Sequence, residues 1–128
     1  MIFVDTSVWV SFFRGKPEDP AERLAGLLDE DRVALAAPVR IEILSGVSAK
    51  NLPRLRCLLS ALPVFYPDRS TWERMETWTE RASVQGERFG FGDLMIGAIA
   101  TQHDGEVWSF DADFARLHKL GFLRTYAG

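Results

Sequence analysis

Short apolar runs alternate with helix-length stretches along this chain, and that alternation restricts the folds open to it more than any other feature. Ile2 to Val4, Val33 to Ala36 and Val107 to Phe110 are each too short to be a buried helix, and they read as buried strands. The pattern predicts helices over Ala21 to Glu30, Pro38 to Val47, Leu52 to Leu62, Thr71 to Gln85, Leu94 to His103 and Phe114 to Leu120. Pro63 to Pro67 and Leu123 to Tyr126 are further strand candidates, and the glycine-punctuated Glu87 to Gly92 reads as a loop. Strands alternating with helices imply an α/β fold around a parallel sheet. With 128 residues and neither a repeat nor a linker, one domain spanning 1–128 is expected.

Composition removes several classes of function. Cys57 is the single cysteine, so an internal disulfide and a thiolate zinc site are both excluded, and a reducing cytoplasm is the expected setting. The start Met-Ile-Phe-Val-Asp has no basic region, and the apolar run Leu94 to Ala100 is far below a spanning length, so neither export nor membrane insertion is expected. A net charge of −3 lacks the footprint of a general nucleic-acid binder. It is compatible with an acidic site whose bound cations reverse the local sign.

Four carboxylates stand out by position. Asp5 and Asp111 each follow an apolar strand, and chemistry in open parallel sheets collects beyond the carboxyl ends of the strands. Asp is also a favoured N-cap, so capping the following helix is the competing reading for both. Glu42 lies inside the apolar stretch Pro38 to Val47 with no cation three or four residues away, and Asp93 heads an apolar helix in the same condition. Asp113 differs, because Arg116 follows three residues later, which favours Asp111 as the site acid and leaves Asp113 as second choice. Four acids in one pocket would repel one another unless a hard divalent cation shared their charge, and Mg²⁺ or Mn²⁺ is the expected occupant.

At these residues the sequence resembles the PIN-domain family, in its VapC branch. The resemblance is carried by Val4-Asp5-Thr6-Ser7, a helix bearing Glu42, Gly92-Asp93-Leu94-Met95-Ile96-Gly97-Ala98 and Ser109-Phe110-Asp111-Ala112-Asp113-Phe114, in that order over nearly the whole chain. It implies a three-layer α/β/α fold with a central parallel sheet, and a metal-dependent ribonuclease acting as the toxin of a toxin-antitoxin pair. It also implies Asp5, Glu42, Asp93 and Asp111 as the metal-binding and catalytic acids, with Ser7 and Ser109 as supporting hydroxyls. The implied partners are a VapB-like antitoxin, a transfer or ribosomal RNA substrate and a second copy of the chain.

Guidance of RNA needs a basic or aromatic surface. On the helix Thr71 to Gln85, a stripe of Trp72, Met75, Thr79 and Ala82 leaves Arg74, Trp78 and Arg81 on another face. Trp78 there could stack on single-stranded RNA, cover a dimer interface or pair with Arg81. His103 and His118 are expected near helix ends, not as a paired acid and base. Alternatives to the toxin are an inactive PIN-like module that binds only an antitoxin, and a four-acid exonuclease. The exonuclease lacks its Asp-x-Glu opening, since position 7 is Ser. A receiver-type phosphorylation domain is weaker still, because Lys119 follows no strand.

Overall fold

The computed structural model describes residues 1–14 and 19–127. Five parallel strands form one sheet in the order β3-β2-β1-β4-β5: β1 Ile2–Val4, β2 Val33–Ala36, β3 Val64–Phe65, β4 Glu106–Trp108 and β5 Arg124–Thr125. β1 is central, with Phe3 opposite Ala34 on one side and Val107 on the other. Every residue of β1 and β2 is buried, which is why these runs are apolar throughout instead of alternating.

The helices complete an α/β/α arrangement: α1 Thr6–Phe13, α2 Asp19–Asp29, α3 Ala37–Ser45, α4 Leu52–Ser60, α5 Arg69–Val84, α6 Phe91–Gln102 and α7 Ala112–Lys119. α1 is absent from the periodicity reading because apolar residues surround it: Val8 and Trp9 are buried while Val10 and Phe13 stay exposed. α5 begins two residues before Thr71, since the Asp68 side chain accepts from Thr71 N–H and the Thr71 hydroxyl accepts from Asp68 N–H in a capping box. α6 begins inside the expected loop, at Phe91, with Gly90 as its N-cap.

α5 presents a different face from the one the sequence suggests. Its buried residues are Thr71, Met75, Trp78 and Ala82, and Trp72 is 45% exposed. Trp78 is 3% exposed and stacks on Phe122 with ring centroids 5.3 Å apart, so it is unavailable to RNA or to a second subunit. Arg81 lies over the Phe122 ring at 4.8 Å and not over Trp78. Gly97 of α6 admits this packing: a Cβ there would sit 3.3 Å from Trp78 Cζ3 and 2.7 Å from Leu123 Cδ2.

Candidate metal centre

In strand order the chain winds from β1 through β2 to β3 on one side, then crosses to β4 and β5 on the other. The β1/β4 boundary is therefore where the winding reverses, and its carboxyl end is the crevice where such sheets place ligands. Asp5 follows β1 directly and is 6% exposed. β4 ends at Trp108, two residues short of the expected Phe110, so Asp111 follows the strand after Ser109 and Phe110.

Of those two intervening residues, Ser109 bonds Asp5 and Phe110 bonds Ser7. Asp5 Oδ2 accepts from Ser109 Oγ at 2.7 Å and from Ser7 Oγ at 2.9 Å. Both hydroxyl protons being committed to Asp5, the serine oxygens accept main-chain N–H groups: Phe110 donates to Ser7 at 3.0 Å and Asp111 to Ser109 at 2.9 Å. The leaving end of β4 is thus tied to the leaving end of β1 through one carboxylate oxygen.

Both strand-end acids also cap helices. Asp5 is the N-cap of α1, and Asp111 is the N-cap of α7 with its Oδ1 accepting from Asp113 N–H at 2.9 Å. Capping and site chemistry do not compete here, because each acid uses one oxygen in these bonds. The other oxygen carries no hydrogen bond among the described residues.

Asp93 lies in the first turn of α6. Carboxylate oxygens of Asp93, Asp111 and Asp113 all lie within 4.8 Å of one another. Partial burial, then a hydrogen bond shared with Asp113, then the charges of Asp111, Asp113 and Asp5 push the Asp93 carboxyl up to about 7. Glu42, exposed on α3, is raised by partial burial and by the charge of Asp5, against the hydroxyl of Thr6, which donates to Glu42 Oε1 at 3.1 Å. Asp5 acts electrostatically on both Glu42 and Asp93, so the four expected acids and Asp113 form one electrostatic group.

Asp113, the second choice for the fourth acid, lies in the group together with Asp111. Arg116 does bond it, Nη1 to Oδ1 at 2.6 Å, yet that pair leaves Asp113 inside the acid group beside Asp111. A local cation satisfies one carboxylate oxygen and does not remove the side chain from its neighbours. Thr6 was missed. It stands beside Asp5 in the Asp-Thr-Ser segment, and its hydroxyl becomes available to Glu42 only once α1 is seen to start there.

The donor set fits a hard divalent cation: every donor is a carboxylate oxygen, and burial first, with the neighbouring carboxylates adding to it, raises both Asp93 and Glu42. The histidines stand apart, with the His118 ring Nδ1 at 3.0 Å from the Leu123 carbonyl and His103 packed against Phe65 at 4.4 Å.

The PIN domain family matches residues 2–120. Ribonuclease VapC11 of Mycobacterium tuberculosis is 34% identical over 130 residues, covering 98% of this chain and 97% of that protein. Ribonuclease VapC1 of Haemophilus influenzae is 24% identical over 106 residues, covering 78% and 79%. Among solved structures, VapBC2 from Rickettsia felis, bound to a DNA fragment from its promoter, has a chain of similar fold. That chain aligns with a TM-score of 0.81 at 19% identity, over 98% of each chain. FitAcB from Neisseria gonorrhoeae aligns at 0.77 and 22% identity, over 98% of this chain and 96% of that one. By the match of the family to most of its length and by its likeness to VapC11, the chain belongs to the PIN-domain family, in its VapC branch.

Proposed function

We propose that this chain is the ribonuclease toxin of a VapBC-type pair and hydrolyses RNA phosphodiesters with Mg²⁺ or Mn²⁺ held by its acidic group. The observation that carries the reading is the meeting of Asp93, Asp111 and Asp113 within 4.8 Å, next to Asp5, at the sheet's switch point. Asp93, Asp111 and Asp113 are the central ligands in this reading, with Asp5 beside them and Glu42 at the margin. A divalent cation bound there supplies an activated water and charge neutralisation for in-line displacement.

The chain's own residues do the rest. Ser7 and Ser109 fix the rotamer of Asp5, and the Asp111 main chain is held by Ser109. Thr6 holds Glu42. No side chain is needed as nucleophile, and neither histidine is placed to act as a general base.

The relatives named as VapC ribonucleases support RNA as the substrate class, and the toxin-antitoxin proteins among the structures of similar fold support an antitoxin partner. A cation from the antitoxin placed among these carboxylates would neutralise them in place of metal. No helix among the described residues is long and apolar enough to cross a membrane.

The test follows RNA cleavage by the partner-free protein, first with chelator and then with Mg²⁺ or Mn²⁺ restored. Loss and recovery of cleavage are expected, with Asp93→Asn inactive and folded. Cleavage indifferent to chelator would end the metal reading.

A further inference from the structure

One guanidinium sits behind the acidic group and makes more contacts than surface ion pairing requires. Arg116, on α7, bonds Asp113 Oδ1 at 2.6 Å through Nη1 and pairs with Glu87 through Nη2. Nη2 also lies 3.4 Å from the Arg88 carbonyl, and the guanidinium carbon is 4.5 Å from the centre of the Phe89 ring. The three side chains are each between 35% and 40% exposed. At that exposure an ion pair adds little to stability, so folding alone gives little reason for the arrangement.

Position gives a better reason. Glu87, Arg88 and Phe89 run directly into Gly90, the N-cap of α6, and Asp93 is in the first turn of that helix. Asp111 and Asp113 are in the N-cap and first turn of α7. Arg116 therefore clamps the entry to one acid-bearing helix against the start of the other. Without the clamp, the one remaining side-chain tie of Asp113 to its neighbours is the hydrogen bond it shares with Asp93.

We propose that Arg116 is a positioning residue for the acidic centre: anchored by Glu87 and Phe89, it holds Asp113 beside Asp93 and Asp111 at metal-binding spacing. The inference rests on the metal-dependent reading of the site. It has a sharp opposite, because a guanidinium beside a cation site also repels the cation. If Arg116 acted only through its charge, its removal would tighten metal binding. If it acts by holding Asp113, its removal weakens binding.

The experiment measures Mn²⁺ uptake by the metal-free full-length protein, reading free Mn²⁺ by electron paramagnetic resonance with no RNA present. Arg116→Ala is expected to weaken Mn²⁺ affinity at least about tenfold, the usual scale for a residue that orients a metal ligand. Arg116→Lys keeps the charge but not the two-pronged contact, and is expected to fall between wild type and Arg116→Ala. Glu87→Gln, which removes the anchor and leaves the cation, is expected to weaken binding as well. In an Asp113→Asn background, Arg116→Ala should add less than about a twofold further loss, as expected of residues acting through one contact.

Arg124→Ala breaks an exposed pair with Asp104 and serves as the control, with affinity unchanged. If Arg116→Ala fails to fold by circular dichroism, Arg116→Lys and Glu87→Gln carry the test. Wild-type-like or tighter binding in the folded variants would overturn the positioning role and leave the metal centre standing. Failure of the wild type to bind Mn²⁺ would instead remove the metal centre, and this inference with it.

Discussion

Ser109 Oγ donates to Asp5 Oδ2 at 2.7 Å, a bond between residues 104 positions apart that joins the ends of the two central strands. The same oxygen accepts from Asp111 N–H, so one hydroxyl orients two acids of the candidate centre. Ser109→Ala is expected to lower stability by about 2 kcal/mol, the scale of a hydrogen bond to a charged group. It should also reduce cleavage more than unfolding accounts for. Urea unfolding and cleavage rates at a temperature where the variant is fully folded check both parts, and unchanged cleavage would show Ser109 to be structural only.

Acid titration carries a signed prediction. Between the ordinary Asp value of 3.8 and about 7, folded protein keeps a proton on Asp93 that the unfolded chain has released. The folded state binds more protons in that window, so metal-free stability falls as pH rises through it. Glu42, raised in the same direction, adds to the slope from 4.5 upward. Urea midpoints of metal-free protein should be higher at pH 4.5 than at pH 7.5, and Asp93→Asn should flatten the difference. A midpoint that rises across this range in wild type would contradict the raised Asp93 carboxyl described at the site.

The two tryptophans of α5 should separate cleanly. Trp78 is 3% exposed and stacked on Phe122, so Trp78→Ala is expected to cost about 3–5 kcal/mol in chemical unfolding. Trp72 is 45% exposed and meets the exposed Phe91 ring at 5.6 Å, so its truncation should cost about 1 kcal/mol or less. Equal costs would mean that the face of α5 is wrongly assigned.

Product chemistry distinguishes a water nucleophile from the RNA's own 2′-hydroxyl. Displacement by water at a carboxylate-held cation leaves a 5′-phosphate and a 3′-hydroxyl, and it tolerates a 2′-deoxy residue at the scissile position. Cleaving a defined RNA beside its 2′-deoxy copy, then testing the fragments for ligation through a 5′-phosphate, reads the outcome. Cyclic 2′,3′-phosphate ends, with the substituted copy uncut, would assign a side-chain base in place of the metal and remove the roles proposed for Asp5, Glu42, Asp93 and Asp111.

Strands β1 and β2 were legible because a strand buried on both faces is apolar at every position, and Ile2–Val4 and Val33–Ala36 are. The acids were legible for a related reason. Glu42 and Asp93 sit on apolar stretches without a local cation, and such residues need a distant partner. Helix ends were less readable, since α5 and α6 start where Asp68 and Gly90 cap them, and caps are set by one or two residues against a long periodic background.

The order of residues determined which side chains lack partners nearby, and so which ones had to find them across the fold. Only the tertiary structure decided who those partners are. Asp113 and Arg116 were predicted as a local pair and are one, but Glu87, 29 residues earlier, completes the clamp, and the acid stays in the group. Trp78 was placed on the outer face by helical counting. It lies inside because Gly97 and Phe122, on other elements, leave space for an indole and offer a ring to stack on. Helical period sets the angle between residues on one helix, but the direction that points inward is set by what packs against it, and for α5 that is α6 and the segment leading into β5.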